Sequence, residues 1–298
     1  MCGIAGIFFK RPEGGAALGR SLVSMLEGCQ HRGLDSTGFA LYEPGFKGLR
    51  LRFLVDEDAE SAVVRIKAAL AEQGAELLTD KREGASFVVE VDYSGEIRPF
   101  AYAMEHAAKL VSIGSALDII KDVGTARELD AVYHVGAIAG SHGVGHVRLA
   151  TESDVKREAA HPFWATGFAD VAIVHNGQIT NYWKMRRRLE ARGFEFRTDN
   201  DSELIAVYLA NKLAQGETLE QALGQSVDDL DGVFSFLVST KDGIGFAKDR
   251  LAAKPMVMFE NDDLVAIASE EVSLNRLFPG QPLSTAEPAP GTFRTWSR

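Results

Sequence analysis

In Met1-Cys2-Gly3-Ile4-Ala5-Gly6-Ile7-Phe8, a cysteine follows a methionine that cells trim when its neighbour is small, so the mature chain is expected to begin at Cys2 with a free α-amino group. A free thiol titrates at about 8.5 and is only a few per cent thiolate near neutral pH. An α-amine titrates near about 7.7–8.0 and can accept the thiol proton, directly or through water. Nucleophile and base then belong to one residue. Gly3 and Gly6 leave room for close backbone approach, while Ile4, Ile7 and Phe8 read as a short buried strand that would fix the terminus in a pocket. Standing alone, such a cysteine reads as a small core hydrophobe. The rest of the chain changes that reading.

Working outward, residues 17–29 carry apolar side chains at 18, 22, 23, 25 and 26, the spacing of a one-sided helix. His31-Arg32-Gly33-Leu34-Asp35-Ser36-Thr37-Gly38 is a polar turn cluster leading into the strand Phe39-Ala40-Leu41-Tyr42. The texture changes over 48–135, where strands are expected at 49–53 and 87–91 and helices at 58–73 and 107–121, the last from Leu110, Val111, Ala116, Leu117 and Ile120. This stretch predicts a small α/β lobe without a chemical cluster of its own.

Beyond it, 143–151 reads as a strand entering a loop, and 171–177 as a buried strand stopped by Asn176-Gly177. Helices are expected at 181–192, closed by Gly193, from Asp201 onward with acid in the first turn, and at 219–230. Runs at 233–238, 245–247, 256–259 and 264–268 suggest strands in meander order, with a hairpin turn at Asp242-Gly243. Ser269, with Glu270 and Glu271, predicts a capped short helix, and the Pro-rich tail from Pro279 predicts irregular chain. Strands at both ends with helices between them point to an α+β arrangement of layered sheets covered by helices.

The 298 residues are 46% hydrophobic and 25% charged, a globular composition. A net charge of −10 without a Lys/Arg stripe argues against a nucleic-acid footprint or a membrane-surface patch. Arg186-Arg187-Arg188 reads as a solvated helix face. Two cysteines, Cys2 and Cys29, are too few for a disulfide scaffold, a four-cysteine zinc site or an iron–sulfur cluster. Cys29 reads as a packed thiol at a helix end. His142 and His146 flank a strand with no third ligand evident, so neither a metal nor a cofactor is expected. Without a signal-peptide pattern or a long apolar run, the protein is expected to be cytoplasmic, neither exported nor membrane-spanning.

Met1-Cys2-Gly3-Ile4, His31-Arg32-Gly33-Leu34-Asp35-Ser36, Gly145-His146-Val147-Arg148-Leu149-Ala150-Thr151, His175-Asn176-Gly177 and Asp201-Ser202-Glu203 follow one another in an order that resembles the class II glutamine amidotransferase domain. That family is a branch of the N-terminal-nucleophile hydrolases. The likeness covers roughly 1–48 and 136–298 and implies a four-layer αββα sandwich spanning 1–298, with 48–135 as an inserted lobe. It further implies that Cys2 attacks the glutamine side-chain amide to form a γ-glutamyl thioester, with release of ammonia and then glutamate. The Asn176 amide and Gly177 N–H would steady the tetrahedral oxyanion, a donor role worth about 10²–10³ in rate. Arg148 would clamp the substrate carboxylate with its planar fork and Asp201 would hold its ammonium. Thr151 would line the substrate site, Arg32 would order a flap over it, and His161-Pro162-Phe163 would be a packed loop. Leu34 stands where many relatives carry Pro or Tyr, and Glu152 falls where the glutamine loop varies.

No phosphate loop, no Ser-Gly-Gly loop of the asparagine synthetase kind and no cysteine cluster is present, so the ammonia acceptor is expected on another chain. The resemblance is to the small amidotransferase subunit that accompanies glutamate-synthase-like proteins, including N-methylglutamate synthase, with 48–135 as the expected docking surface. Two other readings differ in class. An amidase of the same nucleophile type acting on a different amide would not need the Arg148 and Asp201 pairing, and a non-catalytic scaffold subunit would not need Cys2, Asn176 and Gly177 together.

Overall fold

Side chains alternate along β1 (Gly3–Phe9), in which every residue is buried. Ala5, Ile7 and Phe9 enter one apolar layer, whereas Ile4 and Phe8 enter another. A strand buried on both faces lies inside a sandwich. The computed structural model describes residues 2–55, 59–149 and 156–298. Along them β1 is followed by α1 (Leu18–Gly28), β2 (Ser36–Tyr42), β3 (Leu49–Leu54), α2 (Ala59–Glu72), β4 (Glu76–Glu83), β5 (Ser86–Asp92), α3 (Ile97–Ala107), β6 (Lys109–Gly114), β7 (Leu117–Val123), α4 (Ala126–Tyr133) and β8 (His142–Arg148). Then come β9 (Phe163–Trp164), β10 (Ala172–Ile179), α5 (Tyr182–Glu190), α6 (Asp201–Ala214), α7 (Leu219–Asp229), β11 (Gly232–Thr240), β12 (Gly243–Lys248), β13 (Val257–Glu260), β14 (Leu264–Ala268), α8 (Glu271–Asn275) and β15 (Phe293–Ser297).

Two antiparallel sheets face each other, one in the order β13-β14-β1-β8-β2-β7 and the other β15-β12-β11-β10-β9. Ile4, Phe8, Val144, Val174, Leu237 and Phe246 fill the space between them. Helices α1, α4 and α8 cover the outer face of the first sheet, and α5, α6 and α7 lie on the side of the second. This is the αββα sandwich expected for an N-terminal-nucleophile hydrolase. No helix among the described residues is long and apolar enough to cross a membrane.

Several local expectations are corrected. The stretch 107–121 is not a helix: α3 ends at Ala107, and β6 and β7 follow, joined by a tight turn. The cause lies far away in sequence. Asp170 accepts the Ser115 N–H and Oγ at 3.0 and 2.8 Å and the Ala116 and Leu117 N–H groups at 2.9 Å each. The four later runs do not form one meander, because β11 and β12 pair in the second sheet while β13 and β14 pair in the first. The Pro-rich tail ends in β15, an edge strand on β12. Ser269 does not cap α8; its Oγ accepts the Ile4 N–H at 3.0 Å, tying down the start of β1. Strand β4 and helices α3 and α4 lie outside the elements expected from sequence, and Asn176-Gly177 does not end its strand, because β10 continues to Ile179 with Gly177 still paired to Phe234.

In the region of the expected lobe lies a four-stranded sheet, β4-β5-β3-β6, whose strands fall within residues 49–114, with α2 and α3 packed on it. Strand β7, next in sequence, pairs instead with β2 in the large sheet. The lobe does not have a separate core: Phe53, Phe87 and Phe100 belong to the same apolar cluster as Ile4 and Leu237. A buried ion pair crosses the junction. Arg52, 1% exposed, holds Asp118 of β7 through Nε at 2.7 Å and Nη2 at 2.8 Å. Burial alone would raise the Asp118 carboxyl, but Arg52 and Arg50 hold it below the ordinary carboxylate range.

The Asp170 contacts define a stability test. Asp170→Ala removes the acceptor from three amide N–H groups, at about 1–3 kcal/mol for each buried donor left unpaired. We expect urea unfolding to show a loss of at least about 3 kcal/mol, and a smaller loss for Asp170→Asn, which keeps one acceptor oxygen.

Candidate active site

Parity along two strands brings the reacting groups together. Cys2 lies two residues before Ile4 and so projects from the same face of β1, toward the second sheet. On β10 the alternation of Ala172 and Val174 into the intersheet core puts Asn176 on the facing side. The Asn176 Nδ2 donates to the Cys2 carbonyl oxygen at 3.1 Å. From the first sheet's side, the Arg32 Nε donates to that same oxygen at 2.9 Å. Cys29 sits on the other face of β1, its sulfur next to Gly3. Burial pushes its thiol up to about 11, so the two cysteines neither face each other nor share reactivity.

Gly177 follows at φ +151°, a conformation that side chains rarely adopt, and a Cβ there would lie 2.1 Å from the Val233 carbonyl oxygen. No other residue fits this position. Cys2, Asn176, Gly177, Arg148 and Asp201 all border one cleft of about 610 Å³. Arg32 does not line it. This arginine is buried, pairs with Glu270 and contacts the main chain of Cys2. Glu270 also meets the His31 Nε2 at 3.0 Å. Thr151 and Glu152 lie outside the described residues.

Asp201 opens α6, whose N-cap is Asn200, with the Asn200 side chain accepting the Ser202 N–H at 2.8 Å. Its Oδ2 accepts the Ile179 N–H at 3.0 Å and its Oδ1 stands 3.4 Å from the His175 Nδ1. Burial would raise this carboxyl, but His175, the Ile179 N–H and Ser202 together hold it below the usual range. It therefore stays charged at neutral pH, as an ammonium partner must. The fully buried Glu203 fixes the same helix end by accepting from Thr166 Oγ1, the Arg197 N–H and both the N–H and Oγ1 of Thr198.

Beneath the cleft lies a histidine cluster that sequence reading did not assemble. The Ser202 Oγ lies within hydrogen-bond distance of the His161 Nε2 at 2.7 Å and the His175 Nδ1 at 3.0 Å. The His146 Nε2 donates to the His175 carbonyl at 3.2 Å, and the His146 ring stacks on that of His161 with centroids 4.0 Å apart. Burial pushes His146 down to about 3 and His161 well below 6.5. His161, His175, Ser202 and Lys254 border the cleft and were missed as site residues. His161, His175 and Ser202 stand in the runs that carry the resemblance, but they lie on a loop, a strand and a helix that only the fold brings together. Among the described residues no group of three or more His, Cys, Asp or Glu is arranged to hold a metal ion.

The chain resembles several known proteins. The family described as glutamine amidotransferase domain matches residues 146–276. A Methanothermobacter thermautotrophicus protein named "Putative glutamine amidotransferase" is 39% identical over 290 residues, covering 93% of this chain and 94% of that protein. The glutamine amidotransferase-like protein GlxB of Rhizobium meliloti is 37% identical over 297 residues, covering 99% and 98%. Among solved structures, the glutamine phosphoribosylpyrophosphate amidotransferase from B. subtilis, complexed with ADP and GMP, superposes with a TM-score of 0.62 at 19% identity. The match takes in 99% of this chain but only 47% of that one, so this chain spans about half of the solved enzyme and shares its fold.

The neutral histidines make stability depend on pH. Unfolded imidazoles take up protons below 6.5, whereas His146, at about 3, and His142, pushed down by burial to about 4, do not when folded. The unfolded state then binds more protons, so stability falls as pH drops from about 6.5 toward 4, by up to about 1.4 kcal/mol per pH unit for each such group. Denaturant titrations at pH 7 and pH 5 should show that decline, and His142→Phe should reduce it.

Proposed function

The chain belongs to the class II glutamine amidotransferases, and from that membership we propose that it is a glutaminase subunit that works through Cys2 and supplies ammonia to a partner synthase. The observation that carries this reading is the convergence of Cys2 and Asn176 with the guanidinium of Arg148 and the carboxylate of Asp201 on a single cleft, which Lys254 also borders. Glutamine presents a carboxylate and an ammonium at one end and the amide at the other. A pocket that pairs both charges rejects amides lacking either, because a desolvated charge is left behind.

In the proposed reaction, removal of Met1 exposes the Cys2 amine, which takes the thiol proton. The sulfur then bonds to the amide carbon, and the negative oxygen is met by the Asn176 amide and the Gly177 N–H. The Asn176 amide has two N–H groups, of which the Cys2 carbonyl takes one, so the other is available to the oxyanion. Collapse expels ammonia, which carries away the proton held by the amine, and leaves the γ-glutamyl thioester. Water then cleaves that ester to glutamate and restores the thiol. Arg32 is proposed to steady the main chain of the nucleophile, and Thr151 to line the substrate site.

The acceptor is proposed to reside on a separate chain, most like a glutamate synthase or an N-methylglutamate synthase. The support is twofold. No second chemical cluster was found in the sequence, and the lobe adds a surface outside the sandwich whose edge strand β4 is exposed along most of its length and charged at Asp80, Lys81, Arg82 and Glu83. Charges on an edge strand discourage indiscriminate strand pairing while permitting a matched partner.

Two experiments check these proposals. Cys2→Ala should abolish glutamine hydrolysis and Asn176→Ala should lower kcat by about 10²–10³. Mass spectrometry of the active wild-type protein should find Cys2 at the terminus, and turnover by a chain that retains Met1 would remove the amine from the mechanism. Purification of a tagged chain from its own cells should also recover a synthase, identified by peptide sequencing and released by Lys81→Glu with Arg82→Glu. Recovery of the tagged chain alone would remove the partner.

A further inference from the structure

His161, at the floor of the cleft, belongs to a segment strapped to the sandwich by a buried lysine that the proposed chemistry does not use. Lys121 of β7 is 6% exposed. Its Nζ donates to the carbonyl oxygens of Ala160 at 2.8 Å, Glu158 at 3.2 Å and Pro162 at 3.4 Å. Burial pushes its ammonium down to about 7, and in the charged form its three N–H donors match these three acceptors on alternate residues. Directly opposite Lys121 in register is Gly38 of β2, where a Cβ would lie 2.1 Å from the His161 carbonyl oxygen. The missing side chain lets the segment lie flat on the sheet. At its start, Arg157 Nε donates to Asp122 Oδ1 at 2.5 Å, a second tie to the same strand.

The other side of the segment faces the substrate groups. His161 reaches Ser202 through its Nε2, and Ser202 is the neighbour of Asp201 and a partner of His175, which itself meets Asp201. Displacing the segment would therefore shift the helix end that carries the proposed ammonium partner, without touching Cys2 or Asn176.

We infer that Lys121 is a positioning residue for glutamine, setting substrate affinity by holding residues 158–162 against the β2–β7 edge so that His161 and Ser202 keep Asp201 in place. The inference rests on the reading of the cleft as the glutamine site. Lys121→Met, which keeps the stem and removes the donors, and Gly38→Ala, which pushes out the His161 carbonyl, act on the same strap by different routes. Each should raise the KM for glutamine by about tenfold while kcat stays within about threefold, the pattern of lost binding common to ground and transition states. Calorimetric binding of glutamine to the same variants in a Cys2→Ala background should weaken by a similar factor without any turnover. Arg157→Gln, at the partly exposed tie, should raise KM by a smaller factor and serves if either buried variant does not fold. Folded variants with unchanged KM and unchanged glutamine binding, or with kcat lowered at constant KM, would overturn the inference. Failure of the Cys2→Ala parent to bind glutamine at all would instead overturn the reading of the cleft.

Discussion

One carbonyl oxygen, that of Cys2, is held from two layers at once. Arg32 reaches it from the turn before β2, and Asn176 reaches it from β10 in the facing sheet. Both sheets must therefore be packed in register before the cysteine has a defined position. Ser269 adds a third hold by accepting the Ile4 N–H from the end of β14. Order at this segment derives from donors and acceptors supplied by residues 30, 174 and 265 positions away.

Around that anchor the polar groups form a graded network. Asp201 stays ionised because a helix start, an amide N–H and an imidazole favour its charge, while the histidines behind it stay neutral because burial disfavours theirs. Under the proposed function, this charged rim would meet the two charges of an amino acid. While one ring nitrogen each of His146, His161 and His175 stays buried without a hydrogen-bond partner among the described residues, the mutual hydrogen bonds of these polar groups offset part of the cost of burying them. That makes the site rigid and sensitive to the placement of His161 and Ser202.

The small sheet is structurally continuous with the large sandwich. Its phenylalanines share the intersheet core, and the Arg52–Asp118 pair locks its sheet to β7. A buried pair of this kind adds little net stability over apolar packing but penalises any arrangement that separates the partners. Strand β7 thus connects three regions: Asp118 faces the lobe, Asp122 meets Arg157, and Lys121 grips the segment that ends at the cleft.

Local pattern was sufficient where an element is decided by its own residues. The alternation and apolar run of β1, the helical spacing of α1 and the acidic start of α6 could all be read directly, because burial of one face is written into residue type, whereas the strand end expected at Asn176-Gly177 is not there, since β10 runs through both residues to Ile179. Thus the nucleophile, the cleft-facing asparagine and glycine, and the charged pair could be named as candidates from sequence order. The turn at 115–117 could not, since Asp170 imposes it on residues whose spacing fits a helix equally well. Neither the assignment of β13 and β14 to the first sheet nor the meeting of His146, His161 and His175 at one serine was legible. Residue types determined which groups were available for chemistry, whereas the packing of two sheets determined which of them meet, because hydrogen bonds between layers depend on distances that no local run of sequence encodes.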